Sequence, residues 1–256
     1  MKTIILCGGK GTRMSELTSS IPKPMAEIGG QPVLVHIMQR YAHYGFKEFI
    51  LPLGYKGNII KDYFCNFYRR NSSIKVDLGT GETNILSNKS VDWKVWMVDV
   101  GVETLKGARI KRVGDLIDSE NFMVTYGDGV ADVDIRKLVD FHCSHGKIAT
   151  FTGVRMPSRF GTVRTDMDGN VSSWEEKPIL DSYINSGFFV FKKDFLDFLS
   201  SDENCDLEQE PLKQLAAMGE LMMYKHEGFW KCMDTLRDNQ ELNKLYAENK
   251  TPWLKY

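Results

Sequence analysis

The chain has 256 residues, enough to bury a full hydrophobic core, and at this length it is expected to form one elaborated domain. Hydrophobic residues make up 42% and charged residues 26%, which excludes a disordered or fibrous chain. Thirty-three Lys plus Arg against thirty-four Asp plus Glu leave a formal charge of -1, so no long-range field draws the protein to nucleic acid or to an anionic membrane.

In chain order, "TIILCGG" is a short apolar run ending in glycines, the pattern of a strand buried on both faces of a parallel sheet. "QPVLVHIMQRYAHYG" places Val33, Ile37, Tyr41 and Tyr44 at helical spacing, with Pro32 suited to the first turn and Gly45 to the C-terminal cap. "KEFILPLG" reads as a second strand and "KGNIIKDYFCNFYRR" as a second helix. The alternation continues through "WKVWMVDVG" (strand), "GARIKRVGDLI" (helix), "NFMVTYGDG" (strand), "DIRKLVDFHCSHG" (helix) and "KIATFTGV" (strand). Strand, helix and strand in succession predict right-handed crossovers and a parallel sheet, hence an α/β sandwich over the first 155 residues.

Beyond that point "GTVRTDMDGNVSSWEEK" alternates around Asp-Gly, the signature of a hairpin, and the hairpin half is expected to extend the same sheet. "INSGFFVFK" reads as a strand, and "EPLKQLAAMGE" and "LRDNQELNKLYAEN" as helices; the aromatic tail "TPWLKY" suits a subunit contact. The apolar run in "MKTIILCGG" is too short for a signal peptide and no other stretch approaches a membrane span, so the cytoplasm is the expected location. Cys7, Cys65, Cys143, Cys205 and Cys232 are odd in number, scattered and without metal-site spacing, as for thiols in a reducing compartment. His36, His43, His142, His145 and His226 have no carboxylate or Ser partner near in sequence and read as structural.

The densest motif is "LCGGKGTRMSELTSSIPKPM", which sets three glycines and three cations directly after the first strand, where open α/β sheets bind ligands. It lacks the spacing of a Walker loop, and Met14 stands where a dinucleotide fingerprint needs its third glycine. What remains is a loop in which Gly8, Gly9 and Gly11 let backbone N–H groups converge on a phosphate. Arg13 adds a fork of donors, and Lys23 is presented by a segment stiffened by Pro22 and Pro24. On these residues alone, a structural glycine turn with solvent-facing cations reads as well.

"GGKGTR" followed by "PKP" resembles the opening signature of the sugar-1-phosphate nucleotidylyltransferases, and the resemblance runs through "TYGDG", "FG" at Phe160 and Gly161, "EEKP" and "INSGFFVF". "EIGGQPVLVHIM", "YGDGVADVDI", "EQEPLKQLAAMGEL" and "GFWKCMDTLRD" are most similar to the cytidylyl branch of that family, whose substrates are CTP and glucose 1-phosphate. The implied fold is a single Rossmann-like domain of the nucleotidyltransferase, GT-A-like type: a mixed, mostly parallel sheet flanked by helices, with a β-hairpin extension. Residues 1–155 would be its nucleotide-binding half, and 156–256 its sugar-binding half with the C-terminal helices. The implied product is a CDP-sugar feeding deoxysugar synthesis for a surface polysaccharide, made by a homo-oligomer that needs no nucleic acid or membrane.

In that frame the sugar phosphate attacks the α-phosphorus of the triphosphate, a reaction catalysed mainly by positioning and charge neutralisation. The resemblance implies that Arg13, Lys23 and Asp128 are catalytic. It implies a nucleotide site of Leu6, Cys7, Gly8, Gly9, Lys10, Gly11, Thr12, Arg13, Lys23 and Gly127, and Mg2+ between Asp128 and Asp234, since magnesium takes oxygen ligands from one or two carboxylates plus phosphates. Taken alone, Asp128 fits a loop cap better than a metal ligand. Gly161, Glu176, Lys177, Asn185 and Gly187 are implied for the sugar phosphate, although Glu176 and Lys177 also fit a solvated face, and Asn185 and Gly187 a core strand edge. Thr104 and Arg109 stand where related branches read the base, so they become candidates for cytosine; Arg109 alternatively is one more exposed cation on its helix. Two rivals are a metal-dependent glycosyltransferase built on Asp132-Val-Asp134 and a non-catalytic nucleotide or sugar sensor.

Overall fold

The computed structural model describes residues 1–87, 90–158 and 160–255, and only the backbone of residues 13, 15 and 17. Seven strands form the central sheet: β1 (Thr3–Leu6), β2 (Glu48–Leu53), β3 (Lys94–Asp99), β4 (Asn121–Tyr126), β5 (Ala149–Pro157), β6 (Ile179–Lys192) and β7 (Leu221–His226). Their order across the sheet is β7-β5-β6-β4-β1-β2-β3. β6 runs antiparallel to both its neighbours, and the other pairings are parallel. The crossovers between the parallel strands carry the helices α1 (Val33–His43), α2 (Gly57–Cys65), α3 (Lys106–Arg112) and α4 (Ile135–His145); α5 (Glu210–Ala217) and α6 (Leu236–Ala247) follow in the last fifty residues or so.

Alternation along the strands divides the core into two layers. Ile5, Leu51, Met123 and Val190 face one side, where they pack with Val33, Ile37 and Tyr41 of α1 and with Leu138 of α4. Ile4, Ile50, Phe122, Val124 and Phe191 face the other, against Ile110 of α3 and Leu215 of α5. The strands are apolar at successive positions because both faces are covered.

Three sequence expectations are corrected here. The predicted hairpin forms, with Thr162–Thr165 paired to Val171–Glu175, but as a separate two-stranded ribbon outside the central sheet. Both of its faces are exposed, and Asp166 Oδ1 closes the turn by accepting from the backbone N–H groups of Asp168 at 3.0 Å and Asn170 at 2.9 Å. The hairpin half does extend the main sheet as expected, through the strands after the ribbon, β6 and β7, and only the hairpin itself stands apart. A second ribbon, Ser73–Val76 with Thr83–Ser87, was not expected from the alternation of strands and helices.

The third correction concerns the aromatic tail. Trp253 is 1% exposed and stacks on Phe229 with ring centroids 5.4 Å apart, so it belongs to this chain's own core. Trp253→Ala is expected to destabilise the fold by about 3–5 kcal/mol, the usual cost of emptying a buried indole site. Chemical denaturation at several protein concentrations checks this, since a core residue gives the same loss at every concentration.

Candidate active site

The parallel strands all end at one edge of the sheet, and the segments leaving that edge build a cavity of about 580 Å³. Leu6 to Gly11 leave β1, Val102 to Lys106 follow β3, and Gly127 and Asp128 follow β4; all line this cavity. Lys23 opens a short helical turn, Lys23–Met25, behind Pro22, whose φ of -69° and ψ of 146° set the extended approach. Asp234 arrives from the far end of the sequence. The short strand Trp230–Cys232 pairs antiparallel with Gly129–Ala131, Cys232 opposite Gly129, and the N–H of Met233 donates to the carbonyl of Asp128 at 2.8 Å. That pairing is what sets the two carboxylates side by side.

Both carboxylates converge on one ammonium. Lys23 Nζ lies 2.6 Å from Asp128 Oδ2 and 2.5 Å from Asp234 Oδ1, and the lysine side chain is only 12% exposed. Burial opposes the charge, but the two carboxylates outweigh it and hold the amine above the usual lysine value. Lys23 is therefore charged throughout the neutral range. Among the described residues no group of three or more His, Cys, Asp and Glu gathers to hold a metal.

Arg109, 3% exposed, is not the exposed cation that its helix suggested. Its Nη2 donates to the carbonyls of Gly8 at 3.0 Å and Val102 at 3.1 Å, and Nη1 to that of Leu53 at 3.3 Å. The guanidinium thus ties the glycine loop to the segment after β3. A Cβ on Gly8 would stand 1.7 Å from Arg109 Nη1, so a side chain there would displace the guanidinium that spans the two segments. Thr104 also lines the cavity, with its hydroxyl donating to the Val100 carbonyl at 2.6 Å. At the mouth, Lys10 Nζ reaches Glu103 Oε1 at 2.6 Å, bridging the same two segments.

The remaining candidates fall elsewhere. Thr12 begins the short turn Thr12–Met14 and is not among the cavity's lining residues; the side chain of Arg13 lies outside the described residues. Gly161, Glu176 and Lys177 belong to the 162–175 ribbon and its flanks and do not line the cavity either. Asn185 and Gly187 are joined to its wall: Asn185 Nδ2 donates to the Tyr126 hydroxyl at 3.0 Å, and Gly187, at φ 86°, leaves room for the Tyr126 ring, which a Cβ would meet at 2.3 Å.

Sequence reasoning missed Tyr126, Lys106 and Glu208 as wall residues. Tyr126 and Glu208 stand inside "TYGDG" and "EQEP", but their contact spans 82 residues of chain. The glycosyltransferase alternative loses its metal pair, because Asp132 lies 3.0 Å from His226 Nε2 while Asp134 caps α4 by accepting from the Lys137 N–H at 2.9 Å. Cys7 of the cavity wall and Cys232 beside Asp234 are both held toward the protonated thiol. Burial pushes Cys7 far above the usual thiol range, and burial with Asp234 and Asp128 nearby raises Cys232 to about 11.

The sequence profile of the family described as "Nucleotidyl transferase" matches residues 2–249. The chain belongs to that family. Glucose-1-phosphate cytidylyltransferases of Salmonella typhi and Salmonella typhimurium (strain LT2) are each 46% identical to this nucleotidyl transferase over 255 residues, which cover 99% of this chain and 98% of theirs. The crystal structure of HddC from Yersinia pseudotuberculosis superposes with a TM-score of 0.70 over 96% of this chain and 99% of that one; at 23% identity it shows the shared α/β fold. No helix among the described residues is long and apolar enough to cross a membrane.

Proposed function

We propose that this nucleotidyl transferase moves the cytidylyl group of CTP to glucose 1-phosphate, giving CDP-glucose and pyrophosphate. The observation that carries the chemistry is the meeting of Lys23 with Asp128 and Asp234, 105 and 211 residues away in sequence, at the cavity the glycine loop lines. The choice of CTP and glucose 1-phosphate rests on the 46% identity to cytidylyltransferases along nearly the whole chain.

In this reading the loop amides from Gly8 to Gly11 cradle the triphosphate, with Lys10 and Arg13 beside it, and Thr104 and Arg109 form the wall against the base. A phosphate oxygen of the sugar phosphate attacks the α-phosphorus, the bond to the bridging oxygen breaks, and pyrophosphate departs with those electrons. The nucleophile is already an anion at neutral pH, so no side chain has to take its proton. Lys23 neutralises charge where the two polyanions meet. Asp128 and Asp234 fit a hard divalent cation, magnesium in this proposal. Their oxygens already converge on a single cationic point, and two carboxylates leave room for phosphate oxygens to complete the ligand set. Bound there, the ion would offset the charge developing on the transferred phosphoryl group.

Lys177, Glu176 and Gly161 would reach the sugar phosphate from the ribbon beside the cavity, with Asn185 and Gly187 on its inner side. The exposed apolar side chains of the two ribbons, among them Val76, Leu86, Val163 and Trp174, support a homo-oligomer. A cytoplasmic location and a CDP-sugar destined for surface polysaccharide complete the proposal.

The test is a matrix of four nucleoside triphosphates against several sugar 1-phosphates with magnesium, following pyrophosphate release. CTP with glucose 1-phosphate is expected to exceed every other pair by about tenfold or more in kcat/KM, the scale set by a few hydrogen bonds in a specificity pocket. Pyrophosphate release with no pair, or equal release with all, would overturn the assignment.

A further inference from the structure

One stretch of cavity wall carries polar groups that the phosphate chemistry leaves unused. Tyr126, the last residue of β4, donates its hydroxyl to Glu208 Oε1 and accepts from Asn185 Nδ2 at 3.0 Å, and Asn185 Oδ1 in turn accepts from the Gly187 N–H at 2.9 Å. The second oxygen of Glu208 lies 2.9 Å from Lys106 Nζ, which reaches Asp206 Oδ1 at the same distance. Lys106 is held there because the start of α3 packs on the 203–206 segment, with the N–H of Leu105 donating to the Glu203 carbonyl at 2.7 Å and that of Ala108 to the Cys205 carbonyl at 3.0 Å. Although ion-paired, the Glu208 side chain remains 29% exposed and lines the cavity.

A carboxylate facing a cavity that receives two polyanions repels them unless the part of the ligand against it is uncharged and donates hydrogen bonds. Glu208 Oε1 has spent one lone pair on the Tyr126 hydroxyl and keeps a further acceptor position, while Oε2 is shielded from solvent against Lys106. The place of this wall in the sheet selects between the neutral parts of the two substrates. The segment after β3, which ends in Lys106, lies on one side of the glycine loop, beyond β2; β4 and β6, which carry Tyr126 and Asn185, lie on the other, and Glu208 bridges the two by bonding Tyr126 and pairing with Lys106. A nucleotide whose phosphates rest on the loop and whose base lies toward Thr104 leaves the β4 and β6 side to its co-substrate.

We propose that Tyr126 and Glu208 form a hydroxyl-reading wall for the hexose ring of the sugar 1-phosphate, with Lys106 and Asn185 as positioning residues that hold the phenol and the carboxylate in place. The assignment rests on the nucleotidyl transfer proposed above and adds to it the groups that discriminate the sugar. A carboxylate that accepts from ring hydroxyls loses that bond when a hydroxyl is missing, so the wall separates sugars by configuration.

Tyr126→Phe removes only the hydroxyl and keeps the ring against Gly187, and Glu208→Gln keeps the shape and removes the charge. With CTP saturating, each is expected to raise the KM for glucose 1-phosphate about tenfold, while the KM for CTP moves less than about twofold. The unmodified protein supplies a second measurement. In a series of glucose 1-phosphate analogues each lacking one ring hydroxyl, one analogue is expected to show the same rise, and Glu208→Gln is expected to add little to it. A rise in the KM for CTP instead would assign the wall to the nucleotide. Unchanged constants in both variants, or an analogue series with no loss, would reduce it to a structural network. Absence of pyrophosphate release from the unmodified protein would instead count against the proposed reaction itself.

Discussion

Lys23→Ala is expected to lower cytidylyl transfer by about 10²- to 10³-fold, the scale seen when one preorganised donor is taken from a charge-stabilising site. The lysine is nearly buried, paired to two carboxylates and held above its ordinary pKa, so it acts as a fixed positive charge. Its loss leaves the triphosphate and the sugar phosphate facing one another with less to offset their repulsion. The same substitution removes the counter-charge shared by Asp128 and Asp234. The substrate-free variant is therefore expected to bind Mn2+ more tightly than the unmodified protein, as read by the loss of free Mn2+ signal in electron paramagnetic resonance. A rate within a few-fold of normal, or weaker metal binding, would contradict this role for the ammonium.

Asp128→Asn is expected to cost about 10²- to 10³-fold in magnesium-supported turnover and to weaken Mn2+ binding. Asparagine keeps the shape of the side chain and its place after β4 but removes half of the anionic pair. The pairing of Trp230–Cys232 with Gly129–Ala131 does not depend on that charge, so Asp234 stays in position and the melting temperature is expected to move little. Turnover that kept its magnesium dependence unchanged would show that Asp128 does not hold the metal.

Much of the fold was legible because the parallel strands are apolar at successive positions and the helices alternate with them. Val33, Ile37 and Tyr41 are buried as their spacing required. The hairpin's turn was legible too, but not its separation from the sheet, since alternation describes a ribbon and not the neighbour it pairs with. For Trp253, sequence supplied an aromatic near the end of the chain and no sign of Phe229, which it covers. At the site, the glycine loop and Lys23 could be read from one continuous stretch. The approach of Asp234 to Asp128 came from likeness to a family, because the ribbon that joins them is made by residues about a hundred positions apart. Arg109 was readable as a cation, but only the fold shows its donors spent on three backbone carbonyls. Glu208 was hidden for a related reason: an acid looks out of place in a pocket for anions until its lysine and tyrosine partners are seen.

The single reversed strand, β6, has a consequence for how such a protein diversifies. It enters the sheet from the ligand edge, so Asn185 and Gly187 lie mid-strand where it comes alongside the end of β4, and the free-standing 162–175 ribbon precedes its first residue. Insertions, deletions or exchanges in that ribbon leave the hydrogen-bond ladders of the parallel strands untouched. Under the proposed function, whatever contacts the ribbon makes with the sugar phosphate can therefore change without rebuilding the glycine loop, whereas Tyr126 and Glu208 stay tied to the sheet and the cavity wall.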